Sequence, residues 1–273
     1  MSGLLWGILI VGMAVALAIG GMLLVRRSVT LAGLEKHNQV AGFIYAVIGV
    51  VYAVLLAFTA IVVWEQHTHA KTGVEQEANE LGDLYRDAQV FPREVQIRLQ
   101  NEIHAYTRIV LEKEWPAMAK GEASPEAWEA YNQLWRTYQQ FQPRNAYENA
   151  WYAESLGRLN QLGDYRRDRL LNNRSAVPGV MWVVLLGGGI ITIGFSFFFG
   201  TESVWAQALM VTALTATIAL VLFLVLALNQ PFSGVGAIEP EAFQQLDNIF
   251  DYWTRSAGGP TNRAISCRPW TFV

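Results

Sequence analysis

The sequence predicts an all-α integral membrane protein: four transmembrane helices, with an all-helical extramembrane insertion between helices 2 and 3. Three observations predict it. Charged residues are only 16% of the 273-residue chain and hydrophobic ones 52%, well short of the quarter of charge usual in a soluble domain. The apolar residues are gathered into four blocks, with the charges between them. No stretch of the insertion alternates apolar and polar; its apolar residues recur every three or four positions, as on a helix face. Residues 1–64 should then hold the first two spans, 65–177 the helical domain, 178–228 a transmembrane hairpin of spans three and four, and 229–273 an amphipathic helix and a loosely ordered tail.

Gly3–Val25 is the first span. The residues before it carry no Lys or Arg and the apolar run is long, so it reads as a retained helix rather than a cleaved signal. Gly12, Ala16 and Gly20 recur every four residues, a small-residue ridge that lets another helix approach closely. Arg26 and Arg27 are expected to stop this helix.

Ala41–Trp64 returns across the membrane without a charge. At about 1.5 Å per residue it exceeds a ~30 Å hydrocarbon core. Tyr45, Gly49, Tyr52, Leu56, Thr59 and Val63 form one stripe at alternating steps of four and three, the spacing of packed helices. Phenols, a glycine and a hydroxyl on this stripe suit either a helix–helix contact or a water-filled path, with Glu65 at its mouth. Ile44, Val47, Val51, Val54, Phe58 and Ile61, on the other faces, suit lipid. No Gly or Pro breaks the next two turns after Glu65, so the helix should run on into the insertion.

Within the insertion, Pro92 should end the first helix. Val95, Leu99, Ile103, Tyr106 and Val110 mark a second, ending near Trp115-Pro116. Ser124-Pro125-Glu126 is an N-cap, first-turn proline and acid, opening a third helix with Trp128, Tyr131, Trp135, Tyr138 and Phe141 on one face. A fourth runs from about Ala146 to Asn173. Pro178–Gly200 is the third span, rich in glycine (Gly187, Gly189 and Gly194 among them), which points to tight packing. Val204–Leu228 is the fourth. Glu239-Pro240 starts a last helix with Phe243, Leu246, Phe250 and Trp253 on one side, suited to the membrane surface or to the insertion.

Several residues together resemble the bestrophin-like family. They are His37-Asn38 with Gly42, the run Tyr52–Phe58, Trp64-Glu65, Leu84-Tyr85-Arg86, Glu114-Trp115, Pro178 with Trp182, Thr192 with Phe198-Phe199-Gly200, and Pro231-Phe232-Ser233-Gly234. The resemblance covers most of residues 30–245. It implies kinship with bestrophins, which are pentameric anion channels with four spans per subunit and a helical cytosolic region. It does not extend to their dense acidic calcium clasp, since only Glu239, Glu241, Asp247 and Asp251 follow the last span.

The remaining candidates are few. His67 and His69 lie two apart and point away from each other on a helix, so no metal site is expected there. Arg166, Arg167, Arg169 and Arg174 precede the third span, where they could hold lipid headgroups or pair with nearby acids. No ionisable group lies within a span, as an intramembrane enzyme would need, and no catalytic constellation or cofactor motif is present. A net charge of −3 offers no basic surface for nucleic acid. The sequence therefore points to a homo-oligomeric, channel-like protein of the inner membrane, surrounded by lipid, with conduction near the second span. The alternative is a non-catalytic structural subunit of a larger membrane complex. Arg26, Arg27 and Lys36 argue for a cytoplasmic first link and the arginines before Pro178 for the reverse; the bestrophin resemblance favours a cytoplasmic insertion.

Overall fold

A computed structural model describes residues 2–29, 38–173 and 177–257. Among them every regular element is helical. In chain order the main helices are α1 (Ser2–Ser28), α2 (Asn38–Asp87), α3 (Arg93–Ile109), α4 (Pro125–Gln140), α5 (Ala146–Asn172), α6 (Gly179–Ser196), α7 (Val204–Leu228) and α8 (Glu241–Ala257). Four of these, α1, α2, α6 and α7, are long and apolar enough to cross a membrane. The protein is thus a multi-pass membrane protein, and α2 to α5 with α8 build the extramembrane domain.

The span α2 runs unbroken for 50 residues, about 75 Å at 1.5 Å per residue. Its buried seam steps by threes and fours through Tyr52, Leu56, Thr59 and Val63 in the membrane, then Ala70, Val74, Glu77, Leu81 and Leu84 in the domain. The first group packs on α6 and α7, with Leu185, Ile218 and Val225. The second belongs to the domain core with Leu99, Ile103, Leu134, Leu159 and Leu162. One helix face therefore organises two separate cores.

The span α1 packs on α7, burying Ala18 and Met22 against Val211. It continues through Arg26 and Arg27 to Ser28 rather than stopping at them. The reason is polar: Arg26 donates to Gln207 Oε1 at 2.7 Å and to the Thr201 carbonyl at 2.8 Å. Asn38, at the start of α2, holds the same loop from the other side. Its amide donates to the Gly200 carbonyl at 2.8 Å and accepts from the Gly200 N–H at 3.0 Å. These side chains satisfy backbone groups that the α6–α7 turn leaves without helical partners.

Two expected boundaries change. The third span is shorter than Pro178–Gly200, because α6 ends at Ser196 in a turn. The second insertion helix does not stop at Trp115-Pro116. A π-helical turn over Val110–Glu114 leads into a further helical turn, Trp115–Met118. The chain reverses after Gly121, whose φ of +79° is a left-handed conformation open to glycine at no steric cost. The cap of α4 forms as the sequence suggests, Ser124 Oγ accepting from the Ala127 N–H; α5 is capped by Asn145 Oδ1, which accepts from the Glu148 N–H.

The last helix, α8, lies on the extramembrane domain, not on the membrane surface. Phe243 and Phe250 are wholly buried. The Phe250 ring stacks on Tyr85 with centroids 4.4 Å apart, and Arg108 pairs with Asp247 and Asp251 at 3.1 and 2.7 Å.

The glycines that meet other helices are not all the expected ones. Gly188 and Gly189 of α6 receive the Tyr52 ring, and a Cβ on Gly188 would come within 2.6 Å of it. Gly7 and Gly21 of α1 face Phe223 and Phe197. In contrast, Gly12, Ala16 and Gly20 face outward, and among the described residues Gly12, Gly20, Gly187 and Gly194 have no neighbour within 4 Å of a Cβ position. Gly188→Ala should therefore destabilise the bundle by about 1–3 kcal/mol through overpacking against Tyr52. Gly12→Ala should leave one subunit's stability unchanged. Thermal unfolding in detergent compares the two.

Candidate functional site

Two regions of α2 carry the polar chemistry of the molecule. The first lies in the extramembrane domain, where Glu77 meets α5. Arg169 donates from Nε and Nη2 to the two carboxylate oxygens of Glu77, at 2.6 and 2.9 Å, and from Nη2 to Glu114 at 2.7 Å. Arg166 donates to the other oxygen of Glu114 at 2.5 Å. The Tyr106 hydroxyl donates to Glu77 at 2.8 Å. All five residues are buried, and the two acids balance the two guanidiniums. Trp128 lies over Arg166 and Trp115 beside Arg169. Burial by itself disfavours the Arg169 charge, but Glu77 and Glu114 outweigh it and raise its pKa. Burial first, and Glu77 second, hold the Tyr106 phenol well above its ordinary range.

The π-helical turn shifts the register of the helix after Ile109 and so sets the direction of Glu114. Such turns insert one extra residue and re-aim the side chains that follow. The arrangement overturns a lipid-headgroup role for Arg166 and Arg169: both point into the domain. Arg167 is exposed and pairs with Asp164; Arg174 lies outside the described residues. The spacing held the signal. Leu159, Leu162, Arg166 and Arg169 step by three, four and three, so both arginines lie on the apolar face of α5.

The second region is the membrane part of α2. The stripe that could have lined a water-filled path is instead a packing seam of the subunit. Tyr52, Leu56, Thr59 and Val63 are all under 7% exposed. The Tyr52 hydroxyl donates to the Leu185 carbonyl at 3.0 Å, and Thr59 donates back to the Leu55 carbonyl at 2.9 Å. Tyr45 is half-buried, stacked with Phe195 at 5.8 Å and edge-on to Phe199 at 5.3 Å. Gly49 is half-buried, and none of the described residues comes within 4 Å of a Cβ position there. The Tyr52 and Thr59 hydroxyls are satisfied inside one chain, so they have no call on water.

Glu65 is exposed and belongs to a different stripe. Val47, Val51, Val54, Phe58, Ile61, Glu65, Thr68, Thr72, Glu75 and Asn79 follow one another at alternating steps of four and three, and every one is exposed. This face is apolar as far as Ile61 and polar from Glu65 onward. In the membrane its flank with α6 forms a groove of about 720 Å³, which Val51, Phe58, Val184 and Ile191 help to line. The seam was visible in the sequence only as a lipid-suited set of apolar residues, because its continuation past Glu65 is polar and escapes a hydropathy pattern.

Where α2 leaves the membrane, His67 Nε2 lies 2.8 Å from the Gly236 carbonyl. His69 is exposed, and no group of three or more possible metal ligands is found among the described residues. His104 sits between Asp247 and Asp251, at 2.9 and 3.5 Å, as part of the α8 contact.

Four membrane-length helices, a second span prolonged into a helical domain, and a polar lock between them define a class of multi-pass helical membrane proteins. The bestrophin-like domain model matches residues 12–243, and the chain belongs to the bestrophin-like family. The fold is similar to that of a bacterial bestrophin homologue from Klebsiella pneumoniae, at TM-score 0.70 and 12% identity, covering 89% of this chain and 98% of that one. A mutant of that homologue gives TM-score 0.71 at 11% identity, with 89% and 98% covered. A mutant described as a membrane protein gives 0.69 at 12%, with 93% and 99% covered. No curated protein matches the chain in sequence.

The family marks now have physical roles. Asn38 and Gly200 bond each other, Tyr85 stacks on α8, Glu114 and Trp115 build the buried lock, and Phe232 packs edge-on to Trp115 with centroids 5.7 Å apart. Arg169→Ala leaves the buried Glu77 without a cation and Glu114 with Arg166 alone, and should cost about 3–5 kcal/mol, the scale for removing one partner of a buried pair. Arg167→Ala, two positions earlier, should cost less than about 0.5 kcal/mol. Denaturant unfolding followed by tryptophan fluorescence separates them.

Proposed function

We propose that the chain is a homo-oligomeric, channel-like protein of the inner membrane, in which copies of α2 stand around a shared axis with their exposed seam inward. The extramembrane domain then forms a vestibule, assigned to the cytoplasmic side. The observation that carries this reading is the exposed seam itself. Its ten positions keep one register from Val47 to Asn79, as a helix does when its seam faces copies of itself. Phe58, 65% exposed, is the bulkiest side chain on the membrane part and the natural apolar constriction. Past it come the Glu65 and Glu75 carboxylates, and rings of carboxylates favour cations.

Accessibility of single cysteines tests the face, in a Cys267→Ala background reconstituted in liposomes. Val54→Cys and Phe58→Cys should be modified by a charged thiol reagent, which reduces ion flux; Leu56→Cys should not react. Phe58→Ala should raise flux several-fold, and Glu65→Lys should shift the reversal potential toward anions. Reaction at Leu56→Cys together with silence at Phe58→Cys overturns the assignment of the face.

A second reading is a non-catalytic accessory subunit of a larger membrane complex. It is favoured by the outward ridge of Gly12, Ala16 and Gly20, which none of the described helices covers. Purified protein that is monomeric and conducts nothing supports that reading over the first.

A further inference from the structure

On the face of α2 turned away from its buried seam, two side chains of metal-binding type stand four residues apart. Glu65 and His69 are both exposed, while the seam runs behind them through Val63, Ala70 and Val74. Neither forms a hydrogen bond or an ion pair with another described residue. The other described histidines are engaged: His67 meets the Gly236 carbonyl at 2.8 Å, and His104 meets Asp247 at 2.9 Å. Among the described residues, then, His69 is the imidazole with both ring nitrogens free.

Residues four apart share one face of a helix, and that spacing lets two side chains grip one ion. A carboxylate oxygen with an imidazole nitrogen suits zinc and its first-row neighbours, whereas calcium and magnesium take oxygen ligands. One chain offers two ligands, however, and zinc takes four. The missing pair is the same pair on a second copy. Glu65 follows Phe58 on the outward stripe by seven residues, about 10 Å along the helix axis. Copies of α2 that converge at Phe58 therefore bring their Glu65 and His69 side chains toward one another two turns later.

We propose that Glu65 and His69 of neighbouring α2 copies form a binding site for a first-row divalent transition ion such as zinc, and that an ion held there closes the path. The inference rests on the ring of α2 copies set out under Proposed function and adds its regulation. Two copies supply two carboxylates and two imidazoles, the full set for a four-coordinate ion. Conduction asks that an ion bind weakly enough to leave. An alkali, magnesium or calcium ion meets only the carboxylates as suitable ligands, and passes. A zinc ion also engages the imidazoles, stays, and blocks the way just beyond the Phe58 constriction. Binding needs no movement of the fold, because both side chains already stand outward.

The test uses the full chain without a histidine tag, in the Cys267→Ala background that removes its one thiol. In liposomes, zinc chloride should block ion flux at a concentration roughly a hundredfold or more below any effect of magnesium or calcium chloride. His69→Ala and Glu65→Gln should each raise the half-blocking concentration by roughly tenfold or more, measured against that variant's own zinc-free flux. Both side chains are exposed, so neither variant should change the thermal unfolding midpoint. Calorimetric titration should count about one zinc per two chains beyond what the double variant Glu65→Gln, His69→Ala binds. Flux that ignores zinc, or a block that both single variants keep, overturns the site and leaves the conduction reading standing. A count of one zinc per chain overturns it too, since one copy would then hold the ion by itself. Protein that conducts nothing yet gives the expected count supports the shared site and overturns conduction. Protein that conducts nothing and binds no more zinc than the double variant overturns both.

Discussion

The ion pair between Arg169 and Glu77 is the constraint on which the architecture depends. Glu77 belongs to the same helix that crosses the membrane, and Arg169 to the helix that leads into the third span. Glu114 and Arg166 complete a four-charge network drawn from three separate segments. Taking such groups out of water costs nearly as much as their attraction returns, so net stability is a poor account of why they are buried. Geometry is a better one. Both oxygens of Glu77 and both of Glu114 are engaged only in one register of α2 against α5 and in one phase of the helix after Ile109. A slip of one residue on either helix would leave buried charges unpaired, at several kcal/mol each. An apolar seam such as Val74–Leu81–Leu84 could slide; the charges cannot.

The far end of the bundle is fixed by a related device with different chemistry. Arg26 and Asn38, at the ends of the first two spans, both bind backbone groups of the α6–α7 turn, and Gln207 donates to the Phe199 carbonyl at 2.9 Å from inside it. Between these two polar ends the spans meet by shape: the Tyr52 ring fills the hollow over Gly188 and Gly189, and its hydroxyl finds a carbonyl. Within hydrocarbon there is no apolar driving force between helices, so close fit and a few interhelical hydrogen bonds must hold them. The Arg26 and Asn38 clamp lies where the apolar blocks of the first two spans end, and the Glu77 lock lies beyond the membrane, inside the domain.

Much of this was legible in the sequence. The four spans, the long second helix and the Ser124 cap of α4 rest on local rules, and local rules survive folding. The stripe from Tyr45 to Val63 was recognisable as a seam, because alternating steps of four and three are a property of the chain. What it faces is not. A hydroxyl and two phenols at membrane depth look alike whether they meet water or a carbonyl 133 residues away, as Tyr52 does. The arginines before Pro178 misled for a similar reason: a basic cluster beside a span is read by its position along the chain, while Glu77 and Glu114 lie 92 and 55 residues from Arg169. The outward turn of Gly12 and Gly20 likewise has no sequence signature, since a small-residue ridge is the same ridge whichever side it faces.

The two seams of α2 explain one another. A helix that served only to anchor a domain would need one buried face and could leave the rest to lipid and water without pattern. Here the second face keeps the register of the first, displaced round the helix, and changes character at Glu65 where the apolar block ends. The buried seam fixes the rotation of α2 about its own axis, through Tyr52 in the membrane and Glu77 in the domain. That rotation in turn decides which residues are left outward, over a length no flexible linker interrupts. Rigidity on one side is thus what gives the other side a defined surface from Val47 to Asn79, and a helix free to rotate would present none.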